Sequence, residues 1–365
     1  MHVTRLWLRD FRSYEELDCE LSAGTTAVIG DNGNGKTNLV EALALLSGLR
    51  SFRGAPTEAL VRVGAEAAIV RGTVVHDGRE LLVEIELPRT GRPRVQVNRQ
   101  RVARSRDLLD ALAVTVFSPD DLEIVKGGPA GRRDFLDDLL VTLHPKNEGA
   151  RDEFAKVLKQ RNALLKQLGG RLDEAAALTL DIWDLRLAET GERLAGLRRR
   201  LVAQLSDYVT DAYATISGRP ADLVLEYRPS WEPARLAEAL VAGRDDDVRR
   251  GISLVGPHRD DLEIRLNGLA TRTHASQGEQ RSVVLALRLA AHRLSTDALG
   301  SAPVLILDDV FSELDEHRAT ALLAGVPAGQ AVVTSATPLP EAARPDHVLR
   351  LVAPGRVEPD VGGDR

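Results

Sequence analysis

The stretch GDNGNGKTN, residues 30–38, restricts what this chain can fold into more than any other feature. Gly30, Gly35, Lys36 and Thr37 satisfy G-x-x-x-x-G-K-[ST], between a short apolar run, TTAVIG, and a helical pattern, TNLVEALALLSG, ending at Gly48. A strand, a glycine-rich turn and a helix in that order form a phosphate-binding loop. Glycines let backbone N–H groups approach phosphate oxygens, and the helix N-terminus adds positive partial charge. Lys36 is placed to reach the β- and γ-phosphates and to act in catalysis, and the Thr37 hydroxyl to ligate Mg2+. Asp31, Asn32, Gly33, Asn34 and Asn38 complete the expected nucleotide-binding stretch. Gly48 is the expected helix C-cap. The loop alone admits ATP or GTP.

Such a loop needs a metal-side carboxylate at the end of a buried strand, and VLILDD, residues 304–309, supplies it. Asp308 is expected to hold Mg2+ through water, and Asp309 to orient the attacking water as the catalytic carboxylate. Asp309 also suits a helix N-cap, and both readings stand at this point. Lys36 and this strand lie roughly three-quarters of the chain apart, so the nucleotide fold is split by an insertion. Compact nucleotide kinases keep the two motifs closer. No N-K-x-D guanine-reading motif follows, which leaves ATP as the expected ligand. The remaining architecture is an α/β fold of the ATP-binding-cassette type: a split P-loop ATPase head with an inserted, mainly helical lobe.

That architecture requires one more element. SQGEQR begins at Ser276 and by itself is a capping box, S-x-x-E, opening the helix that follows. In a cassette ATPase the same geometry would turn Ser276, Gln277, Gly278 and Glu279 toward the γ-phosphate held by a second protomer. Its place shortly before VLILDD supports that use. So does SELD, where Ser312, Glu313, Leu314 and Asp315 match a D-loop lining the dimer seam.

The expected domains are a head, 1–137 with 250–365, and an inserted lobe, 138–249. Two hairpins are expected, one around RTGRP and one at Asn267-Gly268. Leu187, Leu194 and Leu201 recur every seventh residue and predict packed antiparallel helices. Cys19 is the only cysteine, which excludes an intramolecular disulfide and fits a reducing compartment. No run approaches the ~20 apolar residues of a membrane span. The expectation is a soluble cytoplasmic protein with no membrane partner. Net charge is -6, so any nucleic-acid contact must be local. From Arg89 to Arg106, Arg92, Arg94, Arg99, Arg101 and Arg104 occur without an acidic residue. That cluster is either a solvated surface or a phosphate-contacting patch, with Arg99, Arg101 and Arg104 the candidate DNA contacts. The tail from Ala353 is expected to fray.

With these pieces placed, the chain resembles the RecF family of recombinational DNA-repair ATPases, relatives of the SMC heads. The resemblance covers nearly the whole chain. It rests on the N-terminal segment through NGKTNLVEAL, on PDDLEIVKGGPAGRRDFLDDLL, and on LKQRNALLK, GPHRDDL and LDDVFSELDEHR. It implies an ATP- and Mg2+-dependent DNA-binding protein that forms a homodimer with ATP on double-stranded DNA near single-strand gaps. Slow, DNA-stimulated hydrolysis would release it, and RecR and RecO would act with it so that RecA can load. The resemblance also suggests that Arg12, in the FRS stretch, lies near the nucleotide, while a surface strand arginine is the plainer reading. Arg132 and Arg133 are either DNA or nucleotide contacts or first-turn helix residues at the lobe junction. FSPDDL stands where a glutamine loop would be, and Ser335 where transporters carry a switch histidine. Two other classes stay open, an SMC-like structural chromosome ATPase and a soluble ATPase subunit of a transporter. The lack of several hundred coiled-coil residues weighs against the first, and the missing histidine against the second.

Overall fold

The computed structural model describes residues 1–102 and 108–359. Two compact units emerge. The first comprises Met1–Asp121, Asp211–Pro220 and the chain from Ser282 onward; the second comprises Leu122–Thr210 and Ala221–Arg281. The expected lobe, 138–249, falls in the second unit apart from 211–220, and that unit also takes in 122–137 and 250–281.

Strands β1 (His2–Phe11), β2 (Tyr14–Glu20), β3 (Thr25–Gly30), β4 (Ala67–His76) and β5 (Arg79–Pro88) open the first unit. They are followed there by β6 (Arg94–Val97), β7 (Gln100–Arg101) and β8 (Val114–Phe117). The second unit holds β9 (Leu223–Arg228), β10 (Asp261–Leu266) and β11 (Leu269–Ala270). The chain returns to the first unit with β12 (Val304–Asp308), β13 (Ala331–Ser335), β14 (His347–Ala353) and β15 (Arg356–Pro359).

One sheet of the first unit has the order β15-β14-β3-β13-β12-β8 and is parallel except at β15. Every residue of β12 is buried, which is why VLIL shows no alternation. The other sheet, β2-β1-β4-β5-β6-β7, is antiparallel and alternates: Ala68, Val70, Gly72 and Val74 point inward along β4. Between the two sheets runs the helix Lys36–Gly48, touching β8, β12 and β13 on one side and β1, β4 and β5 on the other. Leu39, Val40, Ala42, Leu43, Leu45 and Leu46 are buried around its whole circumference. A helix covered on both sides has no polar stripe to show. Gly48 is its last helical residue rather than its cap. Leu49 takes the left-handed conformation, φ 59°, and its N–H donates to Leu45 O.

Both expected hairpins form, β5–β6 around RTGRP and β10–β11 at Asn267-Gly268. Further hairpins join β1 to β2, β4 to β5, β6 to β7 and β14 to β15. Asn98 and Arg99, at φ 51° and 65°, join β6 to β7 in a two-residue turn with both residues left-handed. In the second unit, helices Glu148–Leu168 and Glu174–Ser217 flank the Gly169-Gly170 break. Their cross-helix pairs run in opposite senses, Glu153 with Arg193 and Arg161 with Asp184, as an antiparallel arrangement requires. Leu187, Leu194 and Leu201 are all buried. The tail remains paired as β15 through Pro359, and the last six residues lie outside the described chain. Among the described residues, no helix is long and apolar enough to cross a membrane.

Candidate nucleotide-binding site

The parallel pairing brings the carboxyl ends of β3, β13, β12 and β8 to one edge of the sheet, where ligands bind in open α/β sheets. Gly30 ends β3 there, and the loop turns through Gly33 and Gly35 at φ 89° and 99° before the helix begins at Lys36. Neither Gly30 nor Gly35 has room for a side chain. A Cβ would stand 2.5 Å from Leu351 O at Gly30 and 2.7 Å from Ser13 Oγ at Gly35.

Two turns brace the loop from outside. Tyr14 Oη donates to Gly35 O at 2.9 Å, and Asn38 Nδ2 donates to Ser13 Oγ at 3.1 Å. On the other flank Asn34 Nδ2 donates to Leu351 O at 3.0 Å, and Gly355 N donates to Asn34 O at 3.2 Å. Ser13, Tyr14 and Gly355 were missed in the sequence because their contacts with the loop are made only by folding. Lys36 is nearly buried, and its Nζ donates to Gly30 O at 2.7 Å and Asp31 O at 3.0 Å. Asp31, Asn32 and Gly33 are exposed at the rim.

Thr37 Oγ1 donates to Asp308 Oδ1 at 3.0 Å, and Thr334 Oγ1 donates to the same oxygen at 2.7 Å. Burial, with the neighbouring Asp309 charge, holds the Asp308 pKa above the ordinary aspartate value against the two hydroxyl hydrogen bonds and the charge of Arg53. A hydroxyl and a carboxylate side by side are hard oxygen donors of the kind Mg2+ takes. Mg2+ is held by one or two carboxylates with phosphate and water rather than by a protein cage. Among the described residues no cluster of three or more His, Cys, Asp or Glu forms such a cage. The donor set fits the ion.

Asp309 follows in the left-handed conformation, φ 51°, and its N–H donates to Thr334 Oγ1 at 2.9 Å. Its side chain makes no capping hydrogen bond to the short 3-10 turn Val310–Glu313, and its Oδ1 is buried with no partner among the described residues. A residue kept at positive φ with an unsatisfied carboxylate oxygen is costly, and this side chain is not spent on capping. Ser335 Oγ donates within its own turn, to Thr337 O at 2.7 Å.

Arg12, in the FRS stretch, is held from the helix that follows the loop and from a neighbouring carbonyl. Its Nε and Nη2 donate to Glu41 at 2.8 and 2.9 Å, and Nη1 to Ala59 O at 3.0 Å. Glu41 is fully buried and also accepts from Ser51 Oγ, which in turn accepts from the N–H of Arg53 at 3.1 Å. That chain fixes the Ser51–Arg53 turn, and Arg53 is a cation near Asp308 that sequence reasoning overlooked. FSPDDL leaves the end of β8 beside β12. Its Asp121 accepts from Ser118 N at 2.9 Å and pairs with Arg288.

The S-x-x-E box is formed as drawn from the sequence. Ser276 N donates to Glu279 Oε2 at 2.8 Å, and Glu279 N to Ser276 Oγ at 3.3 Å. Ser276 and Gln277 are exposed at that helix start, and Gly278 is half-buried. In the SELD stretch Ser312 Oγ donates to Asp309 O at 2.8 Å, Glu313 is exposed, and Leu314 is half-buried. Asp315 caps the helix Glu316–Gly325, accepting from Arg318 N at 2.8 Å. Arg99 and Arg101 are exposed at the β6–β7 turn and strand, and Arg104 lies outside the described residues.

The family-like motifs of the second unit meet in its interior. Arg132 grips Asp261 at 2.6 and 2.9 Å, and Arg133 Nη1 donates to Asp260 O at 2.7 Å. Arg198 grips Asp137 at 2.8 Å through both nitrogens and donates to Pro257 O. Arg161, wholly buried, holds Asp184 and Asp247 at 2.6 Å and Ser253 Oγ at 2.8 Å. Arg132 is therefore a buried structural cation. It lies in the first turn of the helix Pro129–Leu143, as the plainer sequence reading had it, while its partner Asp261, 129 residues away, was not legible.

With the geometry in place, comparison with known proteins is direct. The profile of the RecF/RecN/SMC N-terminal domain matches residues 2–337. A DNA replication and repair protein RecF of Acidothermus cellulolyticus is 43% identical over 354 residues, 93% of this chain and 95% of its own. That of Kineococcus radiotolerans is 43% identical over 381 residues, 96% of this chain and 97% of its own. A solved structure of the recombination mediator protein RecF with ATP, from the RecFOR pathway, superposes with a TM-score of 0.90 at 29% identity, covering 98% and 97% of the two chains. The Smc head domain of Pyrococcus furiosus shares the fold, with a TM-score of 0.56 at 18% identity over 98% and 95%. The chain belongs to the RecF family of DNA replication and repair proteins, with the mixed α/β head that RecF and SMC proteins share.

Proposed function

We propose that this chain is an ATP-dependent DNA clamp of recombinational repair and a slow, DNA-stimulated ATPase. The observation that carries the reading is the junction of Thr37, Asp308 and Thr334 at one sheet edge, with the unsatisfied Asp309 carboxylate next in the chain. ATP is held by residues 30–38, its phosphates by backbone N–H groups and the Lys36 ammonium. Mg2+, held by Thr37 and Asp308, supplies charge neutralisation on the phosphates. Asp309 orients and polarises the attacking water, so that its proton has an acceptor.

Two protomers share each ATP. The exposed helix start at Ser276–Glu279 of one faces the nucleotide of the other, with Ser312–Asp315 along the seam. The dimer closes on double-stranded DNA near single-strand gaps, hydrolysis opens it, and RecO and RecR act with it in loading RecA. Arg99, Arg101 and Arg104 are candidate DNA contacts, and Arg12, held by Glu41, is a candidate nucleotide contact. The head comprises 1–137 with 250–365 and the arm 138–249, in a cytoplasmic protein. Support comes from family membership and from a relative solved with ATP. Light-scattering mass of the full chain with and without ATP and duplex DNA tests it. Doubling only with ATP is expected; an unchanged mass sinks the clamp.

A further inference from the structure

Lysine is rare here: Lys36, Lys126, Lys146, Lys156, Lys159 and Lys166 are the only six among 48 basic residues. Three of them lie within eleven residues of the helix Glu148–Leu168. At 100° per residue, Lys156, Lys159 and Lys166 fall within roughly a third of the helix circumference. All three are exposed, together with Gln160 and Gln167 on the same side.

Among the described residues, no hydrogen bond or ion pair engages the ammonium groups of these lysines, and Asp152, exposed one turn before Lys156 on the same face, pairs with Arg151. Glu153, on the same helix, pairs with Arg193. From Phe154 to Leu172 the sequence has no acidic residue, and exposed Arg171 extends the positive run past the glycine turn. Lys166, in the last turn, also offsets the helix dipole. Lys156 and Lys159 are too far from either end for that.

We infer that the lysine face of the helix Glu148–Leu168 is a contact surface for the sugar-phosphate backbone of nucleic acid. The inference rests on the proposed DNA binding and names a surface for it apart from the arginine cluster at 99–104. From Lys156 to Lys166 the face runs about 15 Å along the helix. One strand of duplex DNA carries a phosphate per about 3.4 Å of axis, so that length spans about four phosphates of a strand. Flexible ammonium groups suit a contact that reads charge and not sequence. The face carries no large apolar side chain to enter a bilayer, which favours nucleic acid over an anionic membrane.

The test is duplex-DNA binding by fluorescence anisotropy, with ATP, over a range of KCl concentrations. It compares the full chain with the K156Q/K159Q/K166Q variant. The expected result is a slope of log affinity against log salt shallower by about 2–3, since each lost contact contributes about 0.9. ATP affinity should not change, and K156R/K159R/K166R should keep the wild-type slope. A wild-type slope in the glutamine variant overturns the inference, and does so doubly if that variant has lost binding to phosphatidylserine vesicles. Absence of any ATP-dependent DNA binding by the wild type would instead overturn the proposed function, and the lysine surface with it.

Discussion

At the scale of single residues, the site depends on groups whose partners are few and specific. Lys36 is the only cation among the loop's own groups, and the rest of the cradle is backbone dipole. Lys36→Met is expected to weaken ATP binding at least about tenfold, about 1.4 kcal/mol, as measured by calorimetry. Equal affinity in variant and wild type would remove the loop from the site. Asp309→Asn keeps shape and hydrogen bonding but removes the negative charge next to the metal-side aspartate. ATP binding should stay near normal while turnover drops and the ATP-bound dimer on DNA lives longer. Turnover within about threefold of wild type, under ~1 kcal/mol of barrier, would leave Asp309 without a catalytic role.

Among elements, the strongest ties are buried ion pairs between segments distant in sequence. Arg198, on the helix Glu174–Ser217, is nearly buried and holds Asp137 of the helix Pro129–Leu143. Removing one partner leaves a carboxylate in the interior without its cation, which costs about 3–5 kcal/mol. Arg198→Ala should therefore lower the urea midpoint of the full chain markedly. A shift equivalent to under ~1 kcal/mol would mean that Asp137 finds water or another donor. The helix Gln277–Leu299 carries a different liability. Burial pushes the His292 pKa from 6.5 down to about 4, and His258 of the second unit is likewise pushed down to about 4 by burial. Both are neutral when folded, and the unfolded chain takes up the extra protons. Their stabilising contribution is complete above the unfolded pKa and is lost as pH falls from 6.5 toward 4. Thermal melting temperatures should fall between about pH 7 and about pH 5, and His292→Leu should flatten that slope. An acid slope identical to wild type in that variant would count against a proton-linked His292.

For the whole molecule, the decisive claim is that Lys36 of one protomer and Ser276 of another complete one site. Lys36→Ala should be inactive alone, having no nucleotide at either site. Ser276→Arg should bind ATP but fail to dimerise, because a bulky cation enters the seam at a positively polarised helix start. Mixed together, the two variants can form one dimer with one intact composite site. Partial recovery of ATP-dependent DNA binding, followed by anisotropy across mixing ratios, is the expected outcome. Complete failure to recover at every ratio would return Ser276 to its capping box with Glu279, a bond it makes in any case.

What sequence by itself determined is the part encoded by contiguous chemistry. The loop at 30–37, the buried strand ending at Asp308, the S-x-x-E helix start and two hairpins are each local patterns with their own physical grammar. The RecF resemblance followed from several such patterns occurring in order along one chain. The fold class followed from the distance between two of them. Tertiary structure alone decided which residues meet. Tyr14 and Gly355 brace the loop, Thr334 meets Asp308, and Glu41 holds Arg12, across 21 to 321 residues of chain. It also buried Arg132 and Arg161 in ion pairs that their polarity argued against. Side-chain partnership is set by packing, where desolvation makes a charge seek whatever countercharge the fold delivers, and no local pattern carries that information.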